Sequence, residues 1–127
     1  MTAAGPRPRV LIIDDDRDVV SSLARVLRDC DVTTAGDARA AMAALDAAEF
    51  GFVLCDVMMP ELTGMDVYLH VAARDQRVAD AIVFMTGGVY QEREREFLNG
   101  ISNVILRKPV DPHDLRSLIA HRHERAL

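Results

Sequence analysis

Neither a CxxC pair nor a cysteine–histidine cluster occurs in this sequence. Cys30 and Cys55 are most simply reduced core thiols, and His70, His113, His121 and His123 gather neither with them nor with the acids of the chain. Zinc binding is therefore not expected, and the histidines belong on the surface. Positive charge is not in excess either: 15 Lys and Arg stand against 20 Asp and Glu, a net charge of −5 that argues against nucleic acid as a ligand of this domain. No apolar stretch approaches the length of a membrane span, and the segment up to Arg9 carries Pro and Arg without the apolar core of a secretory signal. A cytoplasmic protein without a membrane partner is expected. Internal repeats, low-complexity tracts and interdomain linkers are missing as well.

What the sequence does contain is alternation. With 127 residues, half of them hydrophobic, the chain can bury one core and needs no second domain. Short apolar segments alternate five times with longer amphipathic ones, which predicts an α/β fold with a parallel sheet and five helices. Val10–Ile13 is the first strand. Val20, Leu23, Val26 and Leu27 then share one face of a helix. Asp31–Ala35 follows as a strand, Gly36 as a break, and Asp37 as the cap of an alanine-rich helix through Ala48. Phe52–Cys55 is apolar throughout, as a strand covered on both faces must be.

The later elements are read in the same way. A loop punctuated by Pro60 and Gly64 precedes a helix over Met65–Arg74, and Ala81–Met85 gives the fourth strand. A charge-rich helix over Tyr90–Leu98 has few apolar anchors beyond Phe97 and Leu98 and should be among the less rigid elements. Val104–Leu106 is the fifth strand, and the last helix starts at Asp111-Pro112. The expected organisation is a flexible leader over 1–8, a domain over 9–124 and a tail over 125–127.

Functional-looking side chains collect at strand C-termini. Asp14, Asp15 and Asp16 close the first strand, Asp56 the third, Thr86 the fourth, and Lys108 follows the fifth. In an open parallel sheet those ends face one crevice, where such folds place their ligands. Two carboxylates about 4 Å apart repel by roughly 4 kcal/mol at an effective dielectric near 20. A site built this way holds a cation or shares a proton, and a cation is the better expectation.

From Arg9 to about Glu124 the chain resembles the receiver domain of bacterial two-component response regulators. The resemblance rests on Ile12-Ile13-Asp14-Asp15-Asp16, Asp56-Val57-Met58-Met59-Pro60, the turn at Gly64, Met85-Thr86-Gly87 and Lys108-Pro109. It implies a doubly wound, flavodoxin-like sheet of order 2-1-3-4-5. It also implies that Asp56 accepts a phosphoryl group from a histidine kinase or phosphotransfer protein, with limited catalysis by the domain of its own phosphorylation. Mg²⁺ would be held by Asp15, Asp56 and the backbone carbonyl of Met58, with Asp14 in support and Asp16 at the helix start. Lys108 and Thr86 would contact phosphoryl oxygens, Gly87 would leave room for the group, and the Lys108-Pro109 peptide would be cis.

Departures from the family pattern carry expectations of their own. Ile105 occupies the strand-five position that is often aromatic, so the usual aromatic switch is missing. Met58 and Gly88, two residues after Asp56 and Thr86, offer no acid or amide to position a hydrolytic water, which implies slow self-hydrolysis. The segments around Thr86 and Lys108 are more similar to receivers of hybrid sensor histidine kinases than to those of transcription factors; a single-domain regulator is the other arrangement. Two competing readings remain at this level. One is an aspartyl-phosphate phosphohydrolase of haloacid dehalogenase type with Asp14 and Asp16 as its acid pair, although Asp56 would then have no role. The other is a pseudo-receiver that only binds partners.

Overall fold

A computed structural model describes residues 7–88 and 91–126 of the chain. Its elements run β1 (Arg9–Ile13), α1 (Arg17–Val26), β2 (Asp31–Ala35), α2 (Ala38–Ala47), β3 (Phe52–Asp56), α3 (Gly64–Ala72), α4 (Gln76–Ala81), β4 (Val83–Thr86), α5 (Glu92–Asn99), β5 (Ile105–Arg107) and α6 (Pro112–Ala126). The five strands are parallel in the order β2-β1-β3-β4-β5, so the doubly wound architecture expected from the alternation is the one observed.

Side-chain alternation divides the core between the two faces of the sheet. Leu11, Ile13, Val53, Cys55 and Phe84 pack on one face with residues of α2, α3 and α5. Val10, Ile12, Phe52, Leu54, Val83 and Met85 pack on the other with Leu23, Leu115 and Ile119 of α1 and α6. Both faces of β1, β3 and β4 are thus covered, which is why those strands read as unbroken apolar runs.

The helix count is the main correction. Six helices occur among the described residues, because the segment expected as one helix ends at Ala72 and a short second helix, Gln76–Ala81, follows. Asp75 caps it by accepting from the Arg77 amide at 3.0 Å. From the segment before β5, the buried Asn103 amide donates to the carbonyls of Ala79 and Ile82 at 2.8 and 2.7 Å. Ala81 therefore ends a helix, and β4 begins at Val83. Six residues are too few to show a helical period.

Smaller differences have local causes. Arg7 donates to the carbonyls of Arg28, Asp29 and Cys30, and the Asp31 amide donates to Pro8 at 2.8 Å, so this part of the expected leader is tied to the end of α1. The rest of the leader, together with Tyr90 and Leu127, lies outside the described residues. Helix α6 extends through Ala126, into the segment expected as a tail. In α5 the charged face is not wholly solvated, since Glu94 is buried. Phe97 anchors this helix, meeting Tyr68 and Phe84 edge-on with ring centroids 5.3 and 5.6 Å away.

Candidate functional site

The sheet order places the C-terminal ends of β1, β3, β4 and β5 around one crevice. Asp14 and Asp15 follow β1, Asp56 ends β3, Thr86 ends β4 and Lys108 follows β5. Of the strand-end residues expected there, Asp14, Asp15, Asp56, Thr86 and Lys108 contribute side chains to this edge and Asp16 does not.

The acidic triplet divides its work. Asp14 is buried, its amide donates to the Ala35 carbonyl at 3.1 Å, and its Oδ1 accepts from the Asp16 amide at 3.0 Å. Asp15 is exposed at the mouth. Asp16 is the N-cap of α1, accepting from the amides of Asp18 and Val19 at 2.9 and 3.3 Å, a use that satisfies helix-end donors and removes it from the site. Carboxylate oxygens of Asp14, Asp15 and Asp56 lie within 4.8 Å of one another.

Lys108 supplies the facing positive charge. Its Nζ is 2.8 Å from Oδ2 of Asp14 and 3.4 Å from Oδ2 of Asp56. The buried Oδ2 of Asp14 is thus met by the ammonium as a close ion pair. The two attractions are worth about 6 and about 5 kcal/mol gross at an effective dielectric near 20. Burial alone pulls the Lys108 ammonium down, but Asp14 and Asp56 outweigh it and raise its pKa. Asp56 is pushed up to about 6, first by burial and next by the Asp14 charge, with Lys108 and the Met58 amide opposing. Three carboxylates facing one ammonium leave a surplus of negative charge when all are ionised. An all-oxygen set with that surplus fits a hard divalent cation.

Backbone geometry holds the acceptor. The Met58 amide donates to Asp56 Oδ1 at 3.4 Å, and the Val57 amide to the Met85 carbonyl at 3.0 Å. Gly64 packs on the Asp56 peptide so closely that a Cβ there would stand 2.5 Å from the Asp56 carbonyl oxygen and 3.0 Å from the Val57 Cα. Thr63 and Asp66 close a capping box over the same turn, with the Thr63 amide donating to Asp66 at 2.7 Å and the Met65 amide to the Thr63 hydroxyl at 3.2 Å. That box is visible in the sequence as Thr63-Gly64-Met65-Asp66, a signal the sequence reading passed over.

The remaining residues are placed as follows. Met59 is buried in the core whereas Met58 is exposed beside Asp56. Thr86 is buried; its hydroxyl accepts from the Gly88 amide at 3.1 Å, and its carbonyl from the Lys108 amide at 2.8 Å. Beside Gly87 there is open space, and the Lys108-Pro109 peptide is cis. Cys55, next to Asp56, is fully buried and its thiol is pushed up by burial and by the charges of Asp56 and Asp14, so it is an inert core residue. His70 is spent on Asp46, whose carboxylate it meets at 3.0 and 3.1 Å far from the crevice.

The chain is similar to known proteins over most of its length. The family described as the response regulator receiver domain matches residues 10–120. The two-component response regulator ORR3 of Oryza sativa subsp. indica is 31% identical over 121 residues, covering 92% of this chain and 92% of that protein. The transcriptional regulatory protein TcrA of Mycobacterium tuberculosis is 32% identical over 110 residues, 84% of this chain but 42% of its own length. The chain spans less than half the length of the first curated relatives it matches. Among solved structures, the Vibrio cholerae chemotaxis protein CheY4 superimposes with a TM-score of 0.76 at 27% identity, covering 91% of this chain and 98% of that one.

Proposed function

The chain belongs to the response regulator receiver domain family, and from that premise we propose that Asp56 is its phosphoacceptor, loaded by the phosphohistidine of a histidine kinase or phosphotransfer protein. An Asp56 carboxylate oxygen forms the new P–O bond while the P–N bond to the donor imidazole breaks, and the imidazole departs with the electron pair and takes up a proton. The observation that carries this reading is the convergence of Asp14, Asp15, Asp56 and Lys108 at one crevice.

With a pKa of about 6, Asp56 is mostly ionised at neutral pH and available as a nucleophile. Lys108, already between Asp14 and Asp56, pairs with a phosphoryl oxygen after transfer. The Thr86 hydroxyl donates to another, and the open space at Gly87 admits the group. Asp15, Asp56 and the Met58 carbonyl, with Asp14 in support, are the groups we assign to Mg²⁺, which when bound neutralises charge on the phosphoryl oxygens.

The added charge biases the loop after β4 and the surface formed by α5, β5 and α6, where Val104 and Ile105 are exposed for a protein partner. Absence of the aromatic at Ile105 supports a place in a phosphorelay of the hybrid-kinase kind. No helix among the described residues is long and apolar enough to cross a membrane. Use of Asp16 as a helix cap counts against the phosphohydrolase reading, which needs it as an acid.

The test is turnover. With acetyl phosphate and Mg²⁺, a receiver incorporates at most one phosphoryl group per chain and releases phosphate slowly. Many cycles of rapid phosphate release would replace this reading with a hydrolase.

A further inference from the structure

Arg107 has no part in the chemistry above, yet its side chain is committed to the same strand end. It lies in register with Thr86 across the β4–β5 ladder, and its neighbour Leu106 packs into the core on the opposite face of the strand. Gly88 has φ +92°, a left-handed conformation that disfavours any other residue. A Cβ on Gly88 would stand 3.0 Å from the Arg107 Nη2 and 3.3 Å from both its Cζ and Nε, so the Nε–Nη2 edge of this exposed side chain lies against the glycine. The Gly88 amide in turn donates to the Thr86 hydroxyl at 3.1 Å.

We propose that Arg107 is a positioning residue for Thr86, holding its hydroxyl in the resting orientation by pinning Gly88. The end of β5 grips Thr86 twice: the Lys108 amide takes its carbonyl at 2.8 Å, and Arg107 acts on its hydroxyl through Gly88. A shift of Thr86 toward Asp56 either breaks the Gly88 bond or carries Gly88 away from the guanidinium, and the contact between Arg107 and Gly88 resists both. Arg107 and Ile105 share one face of β5, two residues apart. The chain therefore places a planar cation beside the position where its family often has an aromatic ring. The functional consequence rests on the reading of Asp56 as phosphoacceptor; the grip on Gly88 does not.

Arg107→Ala and Arg107→Lys, made in the full chain, test this with two readouts. Amide hydrogen exchange at Gly88 in the unphosphorylated protein should rise about tenfold in both variants without a change in the urea midpoint, since a lysine lacks the Nε–Cζ–Nη2 edge that meets the glycine. The initial rate of labelling by acetyl phosphate should rise about threefold in both, as a restraint on the resting state is removed. Unchanged exchange at Gly88 would overturn the proposal. So would slower labelling in Arg107→Ala with wild-type labelling in Arg107→Lys, which would make Arg107 an attractor of the anionic donor. Failure of the wild type to label would refute the assignment of Asp56, and the exchange result would still decide the role of Arg107.

Discussion

The Lys108 ammonium stands nearer to Asp14, at 2.8 Å, than to Asp56, at 3.4 Å. The buried support acid thus holds the lysine, and the proposed nucleophile shares it. Removing Asp14 as Asp14→Asn should free Lys108 for Asp56 and delete the like charge that helps to raise it, so the Asp56 pKa should fall from about 6. Lys108→Ala should move it the other way. Carbon-13 NMR of the side-chain carboxyls without divalent cations reads both, and an unchanged Asp56 in Asp14→Asn would assign the shift to burial alone.

The raised pKa also makes stability depend on pH. Because Asp56 binds its proton more tightly in the folded chain than in the unfolded one, its contribution is fully present below the ordinary aspartate range near 3.8 and is lost as pH rises through about 6. Asp56→Asn should therefore stabilise the fold at pH 7.5 by about 1–2 kcal/mol, a figure discounted for water reaching the crevice, and by less at pH 5. Urea unfolding in chelator at the two pH values checks the sign. A gain that grows as pH falls would contradict it.

Surplus negative charge at the crevice predicts stabilisation by Mg²⁺. Millimolar Mg²⁺ should raise the midpoint of thermal unfolding of the wild type, and Asp15→Asn should weaken binding about tenfold or more while leaving the metal-free midpoint close to wild type, because Asp15 is exposed. Calorimetric titration measures the affinity. Equal affinity in the variant would remove Asp15 from the ligand set.

Gly64 is needed for close approach to the Asp56 peptide. Gly64→Ala has to displace backbone, since the atoms 2.5 and 3.0 Å away are a carbonyl oxygen and a Cα, and should cost about 2–4 kcal/mol in urea unfolding. Gly87→Ala, with nothing within 4 Å of the added methyl, should cost less than about 1 kcal/mol.

Met58 is exposed beside Asp56 and carries no group to orient water. The phosphoryl group on the wild type should therefore persist for minutes or longer, and Met58→Asn should shorten its lifetime several-fold by offering an amide at that place. Loss of label from purified phosphoprotein under Mg²⁺ gives both lifetimes. A wild-type lifetime of seconds would show that the side chain at Met58 does not limit hydrolysis.

Residues of the site were legible because each has a chemical type that a strand end rarely needs for packing. Asp14, Asp56, Thr86 and Lys108 follow apolar runs whose period fixes where they emerge. Short-range geometry was harder to read. Helix α4 has only six residues, QRVADA, too few for a period, and depends on Asn103, 21 positions beyond Ile82, for its end. The buried Glu94 was hidden in a run of alternating charge, and the contact of Arg107 with Gly88 depends on a backbone conformation that a Gly-Gly pair permits without specifying. The preference of Lys108 for Asp14 over Asp56 is a matter of less than an ångström, below what strand order can settle.

The central claim is that Asp56 carries the phosphoryl group. Intact mass measured after incubation with acetyl phosphate and Mg²⁺, with peptide mapping of the labelled residue, tests it most directly. The wild type should gain the mass of one phosphoryl group, located at Asp56 and missing from Asp56→Asn. Label of equal stoichiometry in Asp56→Asn, or no label on a folded wild type, would contradict it.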